Sequence, residues 1–238
     1  MKELFRVSDM TCGYNGVIAV QGASVRIGCD EIVVLLGPNG AGKTSFLLGC
    51  MGLIPRQRGS VWFENCDVSR VAPYNLARLG VSFVPDSRAL FQGLSCRTNL
   101  RLAQRRGGLS IDDVCGIFPK LAPRLELRAG SLSGGEQQML AIARALISRP
   151  KLLIVDEMSM GLAPIITQEL MGVVRSAVGE VGSGALLVEQ HVPLALASAD
   201  RAYVMVHSQI VLEADCDDLI AEPHRLEAAY LGAGADVT

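Results

Sequence analysis

The sequence predicts an α/β protein with a mainly parallel core sheet, an antiparallel β flank on the N-terminal side and an inserted helical lobe. Short apolar runs rich in β-branched residues alternate with segments of helical periodicity, which is typical of a parallel sheet covered on both faces. The run at 32–37 is continuously apolar, as expected for a central strand buried on both sides. From about 95 to 149 helical periodicity dominates, and this block predicts the inserted lobe.

The elements are predicted one by one along the chain. β-branched residues between Gly and Asp-Glu turns predict the N-terminal strands, and apolar residues at helical spacing predict the helices. Pro150 is expected to close the helix before it, and Pro164 suits the first turn of the next helix. The predicted strands are 4–7, 18–27, 31–37, 80–85, 151–156, 184–190, 201–206 and 209–214; the predicted helices are 45–53, 97–106, 111–121, 134–149, 164–181 and two short ones near the end.

Composition limits the domain count and the class of partner. A chain of 238 residues, 50% hydrophobic and 19% charged, predicts one domain over 1–238 with an ample core. The 22 basic and 24 acidic residues give a net charge of −2, which argues against a nucleic-acid partner. Seven cysteines, odd in number and without a C-x-x-C pair, predict free thiols in a reducing cytosol rather than disulfides or a zinc cluster. No secretory leader and no apolar run of roughly 18 residues are apparent, so no membrane span is expected.

A glycine-rich turn separates the strand at 31–37 from the next helix. Its sequence, GPNGAGKT, fits G-x-x-x-x-G-K-[ST] in the strand–turn–helix context that this motif requires. Glycines let backbone N–H groups face phosphate oxygens, and the helix start adds positive charge. Lys43 is expected at the β- and γ-phosphates, Thr44 at a magnesium ion and Ser45 at the α-phosphate. The alternative is a turn without a ligand. The candidate nucleotide-binding residues are Gly37, Pro38, Asn39, Gly40, Ala41, Gly42, Lys43, Thr44 and Ser45.

Two acids end the apolar strand at 151–156. Because ligands bind at the carboxyl ends of parallel strands, Asp156 is expected to reach the magnesium shell through water. Glu157 is then expected to orient and polarise the attacking water. Taken alone, an Asp-Glu pair after a strand is more often a solvated loop. The phosphate loop earlier in the chain favours the catalytic interpretation.

The segment at 132–138 opens a helix. Ser133 is a good N-cap, and its spacing from Glu136 is that of a capping box, which would be a purely structural role. Gly134 and Gly135 lower helix stability by about 1 kcal/mol each relative to alanine. They are understandable if the backbone must approach a ligand closely. Ser133, Gly134 and Gly135 therefore predict a second phosphate-binding helix start.

GPNGAGKT, SLSGGEQQ and LLIVDE, in this order, resemble the ATP-binding subunits of ABC transporters. The resemblance covers about 3–232 and is strongest to the shorter ATPase of branched-chain amino acid importers. It implies a single ABC ATPase domain over 1–238 with the helical lobe at about 95–149. It also implies ATP and Mg²⁺ as cofactors. It further implies a dimer in which each phosphate loop faces the partner's signature helix, which is the helix that the segment at 132–138 opens. Further segments that carry it are VPDSRALF at 84–91, SGGEQQMLAIARAL at 133–146, SRPKLLIVDEMSMGLAP at 148–164, LLVEQ at 186–190 and AAYLG at 228–232.

The resemblance assigns roles to further residues by position. Tyr14 is expected to stack on adenine, with an ordinary turn tyrosine as the alternative. The loop at 159–163 matches the segment that crosses the dimer interface. Asp86 stands where the family has a glutamine that touches Mg²⁺, which leaves direct metal ligation by Asp86 open. Met158 replaces the usual proline after the catalytic glutamate.

The family's switch histidine lies two residues past an apolar strand. Counted from Val188, that position is Gln190, and His191 follows one residue later. A glutamine can donate to a γ-phosphate but carries no charge. His191 would act only if the loop shifts, and otherwise it is a surface residue. Both interpretations stay open at the level of the sequence.

The function that follows is an ATP-hydrolysing subunit on the cytoplasmic face of the cell membrane. It would drive transmembrane permease subunits that import branched-chain amino acids or related small polar solutes, as a homo- or heterodimer of ATPases. One alternative is an ABC ATPase without a transporter; the other is a catalytically weak partner subunit, suggested by Asp86 and Gln190.

Overall fold

A computed structural model describes residues 2–159 and 161–232. Its strands and helices alternate along most of the chain, and two short 3₁₀ helices, Pro119–Arg124 and Ala129–Ser131, precede the fifth α-helix. The strands are β1 (Glu3–Tyr14), β2 (Val17–Gly28), β3 (Ile32–Leu36), β4 (Arg56–Phe63), β5 (Cys66–Asp67), β6 (Val81–Val84), β7 (Leu152–Asp156), β8 (Gly184–Glu189), β9 (Arg201–Val206) and β10 (Gln209–Asp215). The helices are α1 (Lys43–Cys50), α2 (Pro73–Leu79), α3 (Cys96–Ala103), α4 (Ile111–Ile117), α5 (Gly134–Leu146), α6 (Pro164–Val181), α7 (Val192–Ser198), α8 (Cys216–Ala221) and α9 (Pro223–Gly232).

The core is a six-stranded sheet in the order β10-β9-β3-β8-β7-β6. Every neighbouring pair is parallel except β9 and β10, which form an antiparallel hairpin at one edge. All residues of β3, β7 and β8 are buried, because helices cover one face of the sheet and the second sheet packs near the other. The predicted α/β class with a mainly parallel core is confirmed.

The N-terminal flank is a second sheet of four strands in the order β2-β1-β4-β5, all antiparallel. Asn15 and Gly16, with φ of 47° and 84°, make the two-residue turn between β1 and β2. The flank was predicted from β1 and β2 alone. β4 and β5 escaped prediction because β4 opens with mostly exposed polar residues and lacks the alternation of a half-buried strand.

The block at 95–149 holds α3, α4, both 3₁₀ helices and α5. Buried side chains from this block and from the parallel sheet form one continuous apolar cluster, since α5 packs against both α3 and β6. α5 ends at Leu146, four residues before Pro150, so the proline follows a short turn instead of ending the helix directly. The single domain over 1–238 stays a prediction; residues 1, 160 and 233–238 lie outside the described part of the chain.

Four neighbouring strands bring the predicted site residues to one edge of the core sheet. The phosphate loop (residues 37–44) follows β3, Asp156 ends β7, Glu189 ends β8, and Asp86 lies just beyond β6. Because these strands are parallel, their carboxyl ends share that edge. Within residues 2–159 and 161–232, no helix combines the length and the apolar character that crossing a bilayer requires.

Candidate functional site

The phosphate loop leads directly from β3 into α1. Gly42 is the N-cap of α1 with φ of 104°, and no side chain caps the helix, so its first N–H groups remain available to a ligand. A Cβ at Gly42 would lie 2.2 Å from the Ala19 carbonyl oxygen, and one at Gly37 would lie 2.2 Å from that of Met205. Glycine is therefore required at both positions by close packing against β2 and β9.

Lys43 is 5% exposed, and its ammonium group folds back over the loop. Nζ donates to the carbonyl oxygens of Gly37 at 2.7 Å and Pro38 at 2.9 Å. Burial lowers the pKa of Lys43, while the nearby carboxyl groups of Glu157 and Asp156 act to raise it. The positive charge is thus held by two neutral carbonyl oxygens, which a phosphate oxygen can replace with a stronger, charge-assisted interaction.

A cleft of about 360 Å³ opens over the loop. It brings together the loop, the start of α1, Glu157 from the end of β7 and a wall from β2. Tyr14 ends β1 and is 43% exposed, and it does not line this cleft. The lining residues are Val17, Ile18, Ala19, Asn39, Gly40, Gly42, Lys43, Thr44, Ser45, Glu157 and Ser208.

Asp156 is completely buried, yet neither of its carboxylate oxygens has a hydrogen-bond partner among the described residues. Burial is the main cause that raises its pKa to about 6, with smaller contributions from Glu157 and Asp86. Thr44 and Lys43 lie close enough to act in the opposite direction. An unpartnered carboxylate in a dry site is costly unless a cation or donor meets it.

These residues fit a magnesium ion. A buried carboxylate beside a hydroxyl and a second acid offers the hard oxygen donors that Mg²⁺ prefers. No group of three or more His, Cys, Asp or Glu side chains within the described ranges could hold a metal alone. Mg²⁺ is usually held by one or two carboxylates together with water and substrate phosphates.

Glu157 follows β7 in a left-handed turn with φ of 48°. Its N–H donates to the Val188 carbonyl at 3.1 Å, and Gln190 Nε2 donates to Glu157 Oε1 at 2.6 Å. His191 lies one residue further and turns its ring towards α7, where Nδ1 accepts from the Leu194 N–H at 3.4 Å. The structure therefore brings Gln190, rather than His191, into contact with Glu157.

Asp86 is exposed in the loop that follows β6. Its Oδ1 accepts from the N–H of the next residue, Ser87, at 2.6 Å. The charge of Asp86 nevertheless contributes to raising the pKa of Asp156, so the two carboxyl groups are close enough to interact. Asp86 is thus near the cleft, although it does not line it.

The signature helix, α5, begins with the predicted capping box. Ser133 Oγ accepts from the Glu136 N–H at 3.3 Å, and Glu136 Oε2 accepts from the Ser133 N–H at 2.9 Å. Arg124 Nε donates to Glu136 Oε1 at 2.8 Å, an ion pair that no local sequence signal predicts. Ser133, Gly134 and Gly135 do not line the cleft of their own chain. A Cβ at Gly135 would instead lie 3.2 Å from Ile166 of α6.

Sequence reasoning also missed the wall of the cleft on β2. Val17 and Ile18 are 69% and 51% exposed at the start of β2, although both are large and apolar. Val17 was left outside the predicted strand at 18–27, and Ile18 was interpreted only as its first residue. Two exposed β-branched side chains next to a phosphate loop are the signal that indicates an apolar ligand surface.

Comparison with known proteins shows that the similarity covers most of the chain and is not confined to the short motifs. Residues 20–160 match the family described as ABC transporter. The high-affinity branched-chain amino acid transport ATP-binding protein BraG of Pseudomonas aeruginosa is 39% identical over 228 residues, which cover 92% of this chain and 95% of BraG. The lipopolysaccharide export system ATP-binding protein LptB of Escherichia coli K12 is 30% identical, over 94% of this chain and 95% of LptB.

Solved structures show the same fold. The ATP-binding subunit of an ABC transporter has a TM-score of 0.82 at 24% identity, and the match covers 97% of this chain and 99% of that one. An ATP-binding cassette in its ADP conformation also has a TM-score of 0.82, at 23% identity over 98% of this chain and 100% of the other. The resemblance first seen in three short motifs is confirmed over nearly the whole length, and the chain therefore belongs to the ABC transporter family as one of its ATP-binding, ATP-hydrolysing proteins.

Proposed function

We propose that the chain is the ATPase subunit of an importer for branched-chain amino acids or related small polar solutes. The observation that carries this proposal is the similarity to BraG over 95% of that protein's length. A second relative, the probable branched-chain amino acid transport ATP-binding protein LivF of Archaeoglobus fulgidus, is 28% identical over 96% of this chain. Both matches support the same class of substrate.

In this proposal the phosphate loop binds ATP. The unprotected N–H groups at the start of α1 and the Lys43 ammonium would meet the phosphates, with Ser45 at the α-phosphate. Lys43 would exchange the carbonyls of Gly37 and Pro38 for phosphate oxygens, a stronger charge-assisted interaction. Tyr14 and the exposed side chains at the start of β2 would meet the base by stacking and apolar contact, which discriminates weakly among bases.

Thr44 and Asp156 would hold magnesium, with Asp86 close enough to contribute through its charge. The bound ion would neutralise charge that develops on the transferred phosphoryl group. The same ion would give the buried Asp156 carboxylate the positively charged partner that it lacks among the described residues. This supports the metal role of Asp156 more strongly than that of the exposed Asp86.

Hydrolysis would depend on Glu157 and Gln190. Glu157 would accept a hydrogen bond from the attacking water and polarise it. The Gln190 amide, which contacts Glu157 at 2.6 Å, would orient that carboxylate or donate to the γ-phosphate. His191 has no part in this arrangement, because its ring caps α7.

The second phosphate-binding helix start implies a second ATPase subunit. Ser133, Gly134 and Gly135 lie away from the cleft of their own chain, so they would complete the cleft of a partner copy or a related chain. Ser133 would then have to share its hydroxyl between Glu136 and the γ-phosphate. The loop at 159–163, in which Met160 lies outside the described residues, would cross that interface.

A groove of about 520 Å³ supports docking onto membrane-embedded permease subunits on the cytoplasmic face of the membrane. Leu53 and Leu102 line it and are 51% and 59% exposed, so the groove holds two apolar side chains that a partner would cover. Arg144 also lines the groove and donates to the Ala89 carbonyl at 2.8 Å, within the loop that carries Asp86. A partner seated there would therefore act on the loop nearest the magnesium ligands.

Two experiments test this function in the intact transporter. Affinity purification from detergent-solubilised membranes should recover a polytopic protein; recovery of the ATPase without one would favour an ABC ATPase that serves no transporter. Cells that carry Glu157→Gln should lose uptake of labelled leucine, isoleucine and valine. Unchanged uptake of these amino acids, together with lost ATPase activity, would contradict the proposed substrate class.

A second candidate function is that of a weakly catalytic subunit within a heterodimer. The neutral Gln190 and the exposed Asp86 favour it, because neither offers the interaction that the family's usual residue provides. Lys43, Asp156 and Glu157 are all present and oppose it. ATPase activity of the homodimer, compared with that of a complex with the partner ATPase, separates the two.

A further inference from the structure

Glu189 is the last residue of β8 and is 1% exposed. Neither the phosphate loop nor the magnesium site requires it, and a buried carboxyl group is unfavourable unless donors satisfy it. Two of the donors to its carboxylate come from one residue of another segment. The Ser159 N–H donates to Glu189 Oε1 at 3.1 Å, and the Ser159 hydroxyl makes a short hydrogen bond to Oε2.

Ser159 lies two residues after Glu157, on the far side of the left-handed turn. The end of β8 holds this turn at three places. The Val188 carbonyl accepts from the Glu157 N–H, Gln190 donates to the Glu157 carboxylate, and Glu189 binds Ser159. A non-glycine residue stays in this backbone conformation only when its surroundings hold it there.

The same residues surround a small space beside the cleft. Glu157, Ser159, Glu189, Gln190 and His191 line a cavity of about 220 Å³. Burial raises the pKa of Glu189, and the hydrogen bonds from Ser159 oppose that change. A shift of Ser159 would carry the Glu157 turn with it, because only Met158 separates the two residues.

We propose that Glu189 is a positioning residue for ATP hydrolysis, which clamps Ser159 so that the Glu157 carboxylate stays aligned beside Gln190. Glu189 touches neither nucleotide nor water in this assignment; it acts through Ser159. The inference rests on the proposed role of Glu157. It predicts that the clamp affects the chemical step and leaves ATP binding intact, since no clamp residue other than Glu157 lines the phosphate cleft.

The test compares Ser159→Ala and Glu189→Gln with the wild type in the assembled transporter. We expect each variant to lower kcat on the order of tenfold or more, because small displacements of a catalytic group reduce rate steeply. KM and the ATP affinity should stay within about twofold of wild type, as expected when an interaction specific to the chemical step is lost. Ser159→Thr keeps the hydroxyl and should restore most of kcat. The double variant should be no slower than the slower single one, because both remove the same contact.

Matched controls separate positioning from general stability. Glu31→Gln changes another buried glutamate, held by the Gly28 N–H and Arg201, and Ser183→Ala removes another buried hydroxyl, bonded to the Pro150 carbonyl. These variants are expected to lower the melting temperature without lowering kcat of the folded protein. If they reduce kcat as much as Ser159→Ala does, the positioning role is overturned.

The outcomes also distinguish this inference from the function on which it rests. Full activity of Glu157→Gln would overturn both, because Glu157 would then have no catalytic role. Lost activity in Glu157→Gln together with unchanged kcat in Ser159→Ala and Glu189→Gln would overturn the clamp alone. Equal losses in kcat and in ATP affinity would also contradict it.

Discussion

At the scale of single residues, the phosphate loop depends most on Lys43. Its ammonium group is nearly enclosed and bonds only to two carbonyl oxygens among the described residues, so it is positioned without being neutralised. Phosphate oxygens would replace those carbonyls without a large rearrangement. The positive charge of Lys43 is therefore already positioned over the phosphate loop, where the nucleotide phosphates are expected to bind.

Lys43→Ala is expected to reduce ATP affinity by at least about tenfold, since a hydrogen bond to a charged group contributes about 1.5–3 kcal/mol. Isothermal titration with ATP measures the effect. Lys151→Ala is the matched control, because it removes a lysine whose side chain is 54% exposed and pairs with Glu64. Near-normal affinity in Lys43→Ala would contradict the assignment of the phosphate loop.

Gln190→Ala is expected to slow ATP hydrolysis, whereas His191→Ala should have little effect on it. Gln190 contacts Glu157, while the His191 ring faces its own helix. Gln190→His should raise the rate, because a charged donor stabilises the transition state better than a neutral one. Steady-state ATPase assays of the three variants in the assembled complex provide the measurement. Equal activity of Gln190→Ala and wild type would remove Gln190 from the mechanism.

At the scale of elements, α4 and α5 begin with the same capping device and differ in what surrounds it. Ser110 and Asp113 cap α4, with bonds of 2.8 and 3.0 Å. Ser133 and Glu136 cap α5, where Arg124 adds an ion pair. Two glycines follow the cap in α5 but not in α4, so of these two helix starts that of α5 lets a ligand approach the backbone more closely.

The capping box of α5 predicts a stability effect that depends on pH. The Ser133 N–H, followed by Arg124 and the Ser133 side chain, lowers the pKa of Glu136 in the folded state. The carboxylate therefore stabilises the fold above its unfolded pKa of about 4.3, and this contribution is lost as pH falls below that value. Glu136→Gln should be less stable than wild type at pH 7, and the difference should shrink below about pH 4. Urea unfolding of both proteins across this range measures it.

A pair of serine variants separates capping from ligand contact in the same elements. Ser110→Ala and Ser133→Ala should each reduce the free energy of unfolding by about 1 kcal/mol. Only Ser133→Ala should also lower ATPase activity, because Ser110 caps a helix away from the proposed dimer contact.

The pH prediction for Glu136→Gln has its own contradicting outcome. A difference in the free energy of unfolding between Glu136→Gln and wild type that does not change with pH would contradict the role given to the Glu136 carboxylate.

At the scale of the whole molecule, the proposed function gives one chain two incomplete halves of an ATP site, one at the phosphate loop and one at the start of α5. The phosphate loop, Asp156 and Glu157 meet at the carboxyl edge of the core sheet, while Ser133 lies outside their cleft. Pairing of two subunits is the arrangement that completes both sites at once. The association should therefore depend on ATP.

Glu157→Gln is expected to bind ATP, fail to hydrolyse it and accumulate as a nucleotide-bound dimer. Glutamine keeps the shape of glutamate but cannot polarise the attacking water as a carboxylate does. Size-exclusion chromatography with ATP and Mg²⁺ should show the dimer, either with itself or with the partner ATPase. Adding Lys43→Ala should abolish it. A monomer in both pairings would count against the two-subunit site.

The sequence by itself determined the features that depend on neighbouring residues. The phosphate loop needs glycines where Gly37 and Gly42 approach other backbone segments, and the capping box needs Ser133 and Glu136 three residues apart. The buried parallel strand β3 is apolar throughout, β7 is apolar up to its final residue Asp156, and both were predicted within one or two residues. Short or polar elements, such as β4 and α7, carried too little periodicity to be predicted.

Only the tertiary structure decided which distant residues meet. Gln190 and His191 lie 33 and 34 positions after Glu157, a difference too small for the sequence to choose between them. The order of β7 and β8 brings Gln190 to Glu157, and the His191 ring caps α7 instead. The complete burial of the Asp156 side chain likewise depends on neighbouring strands that come from separate parts of the chain. Contacts and desolvation of this kind depend on how strands are ordered in the sheet, and local residue preferences do not specify that order.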